Sequence, residues 1–274
     1  MKNRSLRLLA ALNFALTSCR STRVQVPNAE AEIAIAEAAH EKGDFRDALV
    51  HAQNAVALAP KMTKAHLAVA TFADDLCLPN AQPGPDDRIC GLAVDEYRHT
   101  LELDPSYGEA LRNLAYLLYQ FNRLDESESY YRKALALHPD DPELMGGVAA
   151  LDYVRIAPDV IGTKARLGLG RKKTLIQSAA CAEVRDRNRA RFDEAMALLT
   201  RAEQIRSNNS ELKAYLGALY RVRAEIQCGD TANYQADMKD SRAWYIAGQD
   251  SAAKSRQEFF QKVPGAPPAP PDIQ

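Results

Sequence analysis

A chain of 274 residues, 46% apolar and 26% charged, has enough material for one or two domains with a substantial core, and its proportions are those of an ordinary soluble globular protein. Thirty-five basic residues against 36 acidic ones leave a formal charge of −1, which excludes any global pull toward nucleic acid or an anionic membrane.

The N-terminus differs from everything after it. The stretch MKNRSLRLLAALNFALTSCR opens on Lys2, Arg4 and Arg7 and continues with an apolar run from Leu8 to Leu16. That run is too short for a bilayer, which takes about 20 apolar residues, and it suits a secretory signal. Leu16-Thr17-Ser18-Cys19 then resembles the bacterial lipobox: Leu, two small residues, Cys. The resemblance implies a signal peptide over 1–18, a diacylglyceryl thioether on Cys19 and a short tether over 19–28. Acyl chains add roughly 0.8 kcal/mol per buried CH₂, so two or three of them form a durable anchor. Arg20 stands where an inner-membrane retention signal would place Asp, which favours an outer-membrane lipoprotein facing the periplasm. A basic amphipathic N-terminus with an incidental Cys is the alternative.

From residue 29 onward one phrase recurs. HAQNAVALAP closes at Pro60, EYRHTLELDP at Pro105 and YYRKALALHP at Pro139. The first unit, Ala29–Met62, sets Gly43 at its turn, with Phe45, Ala48 and Ala55 following. The second is longer, because Pro60 to Pro105 is 45 residues where Pro105 to Pro139 is 34. Its surplus is a Pro- and Gly-containing insertion over 74–91, LPNAQPGPDDRI between Cys77 and Cys90. An oxidising compartment would permit a disulfide between these two, worth ~3 kcal/mol in the chain-entropy account. Cys181 and Cys228 read as small buried helix residues. In the third unit Ala115 and Ala134 hold the small positions, and Asn122 takes a turn whose left-handed geometry favours Gly or Asn.

A period of 34 residues with small residues at fixed places resembles the tetratricopeptide repeat, a helix-turn-helix unit. The likeness is strongest over Gly108–Asp141 and Ala29–Met62, and extends over about 29–245. It implies an all-α, right-handed solenoid of five to six repeats over 29–263, because a single pair of helices leaves its apolar stripe uncovered and neighbours must stack. Beyond Pro139 the pattern weakens. PELMGGVAALDYVRI makes a first helix, 157–173 looks irregular, and RFDEAMALLTRAEQI resumes in register, with Ser207 two periods after Pro139. SELKAYLGALYRVRAEIQ would open a sixth unit with Gly217 at the close contact, a long helix from about Tyr234 to Gln261 would cap the stack, and 264–274 is a Pro-rich tail, expected to be extended and disordered.

In this family the first helices line a concave groove that holds other proteins. The inward positions fall here on Arg112, Tyr116 and Tyr119, on Tyr153, and on Arg187 and Arg221, with Glu37, His40, Thr71 and Asp74 toward the N-terminus. Tyr and Arg are the side chains most enriched at binding hot spots, and Arg112 and Tyr116 share a helix face. An extended segment or helix docked on this wall is the resulting expectation; tyrosines that only fill space between helices are the alternative. Arg112 and Asn113 resemble half of a carboxylate clamp whose other half is missing. A second patch is basic: Lys164, Arg166, Arg171, Lys172, Lys173, then Arg185, Arg187, Arg189 and Arg191. It would suit anionic head groups or an acidic partner.

Signals for chemistry are missing from the sequence. GTKARLGLGRKKT lacks the spacing of a phosphate loop, and His40, His51, His66, His99 and His138 form no zinc pattern. No GxSxG elbow occurs, and basic residues without interleaved aromatics speak against RNA. The expectation is a binding protein, with neither enzymatic activity nor cofactor nor metal. A periplasmic solute-binding component of a transport system is the rival. It needs an enclosed cavity, for which only the distorted fourth unit leaves room. A cytoplasmic adaptor is the third reading, should the lipobox be false.

Overall fold

The computed structural model describes residues 28–77, 85–170 and 173–262. The signal peptide, Cys19, most of the tether, Arg171, Lys172 and the Pro-rich tail lie outside them. The described residues form ten helices and no strand: α1 Ala29–Glu41, α2 Phe45–Leu58, α3 Thr63–Leu76, α4 Pro85–Leu103, α5 Gly108–Gln120, α6 Leu124–Leu137, α7 Pro142–Arg166, α8 Cys181–Ile205, α9 Ser210–Glu225 and α10 Thr231–Lys262. Each odd-numbered helix packs against the next even-numbered one, giving an α-solenoid of five pairs with α10 as its cap.

Turn chemistry makes the pairs. At the ends of α1, α5 and α7 one residue enters the left-handed region: Gly43 at φ +81°, Asn122 at φ +58° and Gly168 at φ +64°. In each case the next amide reaches back to close the helix: Asp44 N–H to the Ala39 carbonyl (3.0 Å), Arg123 N–H to Leu118 (2.9 Å) and Leu169 N–H to Lys164 (2.9 Å). Asp44 then caps α2 by accepting from the Asp47 amide at 3.2 Å.

Small side chains set the distance within a pair. Ala36, Ala48, Ala52 and Ala55 are all fully buried between α1 and its neighbours. In the third pair the buried Ser127 hydroxyl donates to the Ala115 carbonyl at 2.7 Å. In the last, Ser241 does the same to Gly217, also at 2.7 Å, and a Cβ on Gly217 would stand 3.1 Å from the Ser241 carbonyl oxygen. The same contact thus recurs at both ends of the weakly matching region.

Two expectations change. The insertion is shorter than 74–91, since α3 runs to Leu76 and α4 starts at Pro85. Cys77, just after α3, is bridged to Cys90 in the second turn of α4. The irregular stretch 157–173 is helical to Arg166. Pro158 sits inside α7, where it removes only the amide that would reach Val154, while Ile156, Ala157, Val160 and Thr163 are buried beyond or around it. Two periods of sequence therefore build one pair of 25-residue helices, α7 and α8, each ~38 Å long. There are five pairs, and the second helix of the fifth is α10.

The long pair is fastened at its far end. The loop after α7 returns with Leu175 fully buried and its amide donating to Glu225 at 2.8 Å, while Lys164 pairs with the other oxygen of that carboxylate. Gly229 donates to the Ile176 carbonyl at 2.7 Å, and Cys181 is bridged to Cys228. Cys228 lies in the α9–α10 turn at φ +32° and not within a helix, which corrects the reading of this pair as simple buried helix residues.

Candidate functional site: a tyrosine pocket in the groove

Odd-numbered helices α1, α3, α5, α7 and α9 each touch the next in their row, whereas among the described residues the even-numbered ones do not approach each other's backbones. A stack whose one row is closer than the other is curved, with the odd row inside. On this inner side α5, α7 and α9 enclose a pocket of ≈ 220 Å³.

Its hollow has a sequence cause. Gly146 and Ala150 stand on α7 where Arg112 and Tyr116 stand on α5, each four and eight residues into the helix. Gly147, next to them, lets the Tyr131 ring of α6 come forward, since a Cβ there would sit 2.4 Å from Tyr131 Cε1. Small residues in the middle helix open a space whose walls are large ones. Arg112, Tyr116 and Tyr119 supply one wall from α5, and Leu212 and Tyr215 supply the other from α9. Tyr131 forms the floor, with only 6% of its surface exposed, and Tyr116 stands at the mouth, 51% exposed.

The helix N-termini of α7 and α9 form the rim. Asp141 caps α7 by accepting from the Glu143 amide at 2.8 Å, and Asn209 caps α9 by accepting from the Glu211 amide at 2.9 Å. Both glutamates line the pocket, in first turns where the helix dipole favours a negative charge. Arg112 lies 3.7 Å from Glu143 and 3.9 Å from Asp141, and Arg206 also pairs with Glu143. Glu211 has no ion-pair partner among the described residues. Burial pushes the Tyr131 phenol up, with the charges of Tyr116 and Glu211 adding to it. Tyr215 is pushed up by burial and then by its hydrogen bond to Tyr119.

Of the residues singled out from sequence, Arg112, Tyr116 and Tyr119 come together here. Tyr153 backs the pocket, its ring edge-on to Tyr215 at 6.0 Å between centroids. Arg187 does not belong to it. Because α7 and α8 are one pair, Arg187 lies on a second helix, donating to both Asp159 oxygens (2.9 and 3.0 Å) and to Glu183 (2.9 Å). Arg221 is exposed on α9 and not among the lining residues, with no ion pair among the described residues. Asn113 lines the pocket, but its side chain serves the buried Tyr97 phenol. Toward the N-terminus His40 pairs with Asp75 at 2.8 Å and Tyr97 donates to Asp74 at 3.2 Å, both contacts between neighbouring helices.

Sequence reasoning missed Tyr131, Tyr215 and Glu211. Glu211 was within reach, being the second residue of its helix and so in the same register as Glu143. Tyr131 carried a signal in its partner: two adjacent glycines inside a helix are costly unless something must come close.

Four of the seven described residues of the basic patch are paired with carboxylates of the chain itself. Besides Arg187 and Lys164, Arg191 donates to the buried Asp152 at 2.8 Å and Arg185 to Asp186 at 3.0 Å. The fourth unit, where a solute cavity was expected if anywhere, is filled by Ile156, Val160, Leu175 and Val184 in one core cluster.

A family model described as tetratricopeptide repeat matches residues 108–151, the α5–α6 pair and the first part of α7. Residues 108–151 therefore carry a tetratricopeptide repeat. Among solved structures, the MamA RS-1 ArsTM double mutant superposes with a TM-score of 0.53 at 12% identity, covering 84% of this chain and 97% of that one. YrrB, described as a TPR protein with an unusual peptide-binding site, superposes at 0.51 with 11% identity, covering 82% and 92%. At such identities the likeness is one of fold. No curated protein sequence matches the chain. The α7–α8 hairpin, with helices of 25 residues against 13 and 14 in α5 and α6, borders the pocket through α7.

Proposed function

We propose that this chain is a scaffold of the bacterial cell envelope, lipid-anchored at Cys19, that holds an extended segment or helix of another protein in its concave groove. The observation that carries the groove is the α5–α7–α9 pocket: four tyrosines and Arg112 around a space left by Gly146, Gly147 and Ala150. Such large amphipathic side chains offer contact area at low entropic cost, which is why they concentrate at hot spots. For export, the supporting observation is the two disulfides. Of five cysteines four are bridged, and stable bridges belong to oxidising compartments. The remaining one, Cys19, is the lipobox cysteine. No helix among the described residues is long and apolar enough to cross a membrane, so this reading assigns attachment to the lipid.

Two experiments test this. Palmitate labelling in the native host is expected for the wild type and lost in Cys19→Ser; labelling that persists refutes the anchor. A photo-crosslinking residue at Tyr116 is expected to capture a defined protein, whereas one at the exposed Val50 of α2 does not, and the Tyr116→Ala, Tyr119→Ala double variant abolishes co-purification of that protein. Unchanged co-purification by a folded double variant refutes the groove.

A further inference from the structure

The pocket is built for one particular kind of side chain. Its volume, ≈ 220 Å³, is below the roughly 300–1,000 Å³ of pockets that enclose drug-sized ligands, so it suits a single projecting group. Phenol rings of Tyr116, Tyr119, Tyr131 and Tyr215 border it, and aromatic faces carry negative charge density that attracts cations within about 6 Å.

Charge accounting points the same way. Arg112 and Arg206 face Asp141 and Glu143, so these four cancel. Glu211 is left over, lining the pocket without an ion-pair partner among the described residues, and close enough to bear on the Tyr131 and Tyr215 phenols. A purely apolar group entering here would leave the exposed rim carboxylate of Glu211 without a partner. An anionic group would meet Glu211 and would have to take Arg112 from its two carboxylates. A cation satisfies the rings and Glu211 together.

We infer that the tyrosine pocket takes a lysine or arginine side chain of the bound segment, with Glu211 as its counter-charge. This rests on the groove reading above and adds to it the chemistry of the recognised residue.

The test selects random displayed dodecapeptides on the full chain and measures the affinity of the selected ones. Expected is a Lys or Arg common to them, whose replacement by norleucine weakens binding about tenfold or more, the range of a desolvated cation–π contact with a counter-charge. In Glu211→Gln that same replacement is expected to lose most of its effect, while the fold, read by circular dichroism and Trp244 fluorescence, is unchanged. Peptides that depend on Tyr116 and Tyr119 yet tolerate norleucine overturn the cation inference and leave the groove standing. Binding that ignores Tyr116 and Tyr119, or a failure to select any peptide, overturns both.

Discussion

Gly147 shows how one missing methyl group shapes this protein. Its Cα faces the Tyr131 ring so closely that a Cβ would overlap it, at 2.4 and 2.5 Å from two ring carbons. Gly147→Ala is expected to lower stability by ~1–3 kcal/mol, the usual cost of overpacking a close-fitted site, in urea unfolding. The pocket floor moves with the ring, so peptide binding falls as well. A different residue reports on pH. Burial raises Asp74 to about 6, its neighbour Asp75 adding to this while the Tyr97 hydrogen bond opposes it. A carboxyl raised in the folded state lends its stability while protonated, fully below its ordinary value near ~4, and loses it as pH climbs through about 6. Asp74→Asn is neutral throughout and keeps an acceptor for Tyr97. Its stability relative to wild type is expected to rise by ~1–3 kcal/mol between pH 4 and 7.5, measured by unfolding at several pH values. A flat difference would show that Asp74 is better solvated than its place beside Tyr97 implies.

At the scale of elements the long α7–α8 hairpin is the departure from regular repeats. Its inner halves behave like an ordinary pair, while its outer halves carry Pro158, the loop with Leu175, and the Cys181–Cys228 bridge to the α9–α10 turn. That bridge spans 47 residues and the other spans 13, so in the chain-entropy account they contribute about 4 and about 3 kcal/mol. Replacing Cys181 and Cys228 with Ser is expected to cost more than replacing Cys77 and Cys90, in reducing-agent-free denaturant titrations. Hydrogen exchange separates the two further. The first pair of changes speeds exchange in the loop over 173–180 and the start of α8, and the second in α3 and α4, leaving α5 and α6 protected in both.

The whole molecule behaves as a row in which each pair covers the next. Helix α10 supplies none of the pocket lining, yet it covers α9, with Ser241 bonded to the Gly217 carbonyl and Trp244 packed against the core that holds Leu212, Leu216 and Leu219. Deleting residues 231–274 is therefore expected to uncover the apolar side of α9 and to abolish peptide binding at a wall the deletion does not touch. Expected readouts are raised binding of a hydrophobic dye and lost affinity for the selected peptides, with α1–α6 helicity retained. Repeats add stability through nearest-neighbour contacts, so damage at one end stays near that end.

The repeat itself was legible in the sequence: Gly43, Asn122, Ala115, Ala134, Gly217 and the recurring Leu-x-Leu-x-Pro phrase name turns and seams that depend only on local geometry and a fixed period. Arg112, Tyr116 and Tyr119 were placed on the inner side by the resemblance to the tetratricopeptide repeat, and the structure sets them together along one pocket wall. The merging of two periods into one hairpin was not legible, because Pro158 argues for a helix end, and only the burial of Ile156 and Val160 in the core shared with α8 carries the helix through it. That misframing put Arg187 on the wrong row. The pocket, too, belongs to tertiary structure, since it arises where Gly146 and Ala150 fall between large residues of helices distant in the chain on either side. Periodicity within a helix tells which way a side chain faces; what it faces depends on which helices stack beside it, and that is settled by packing.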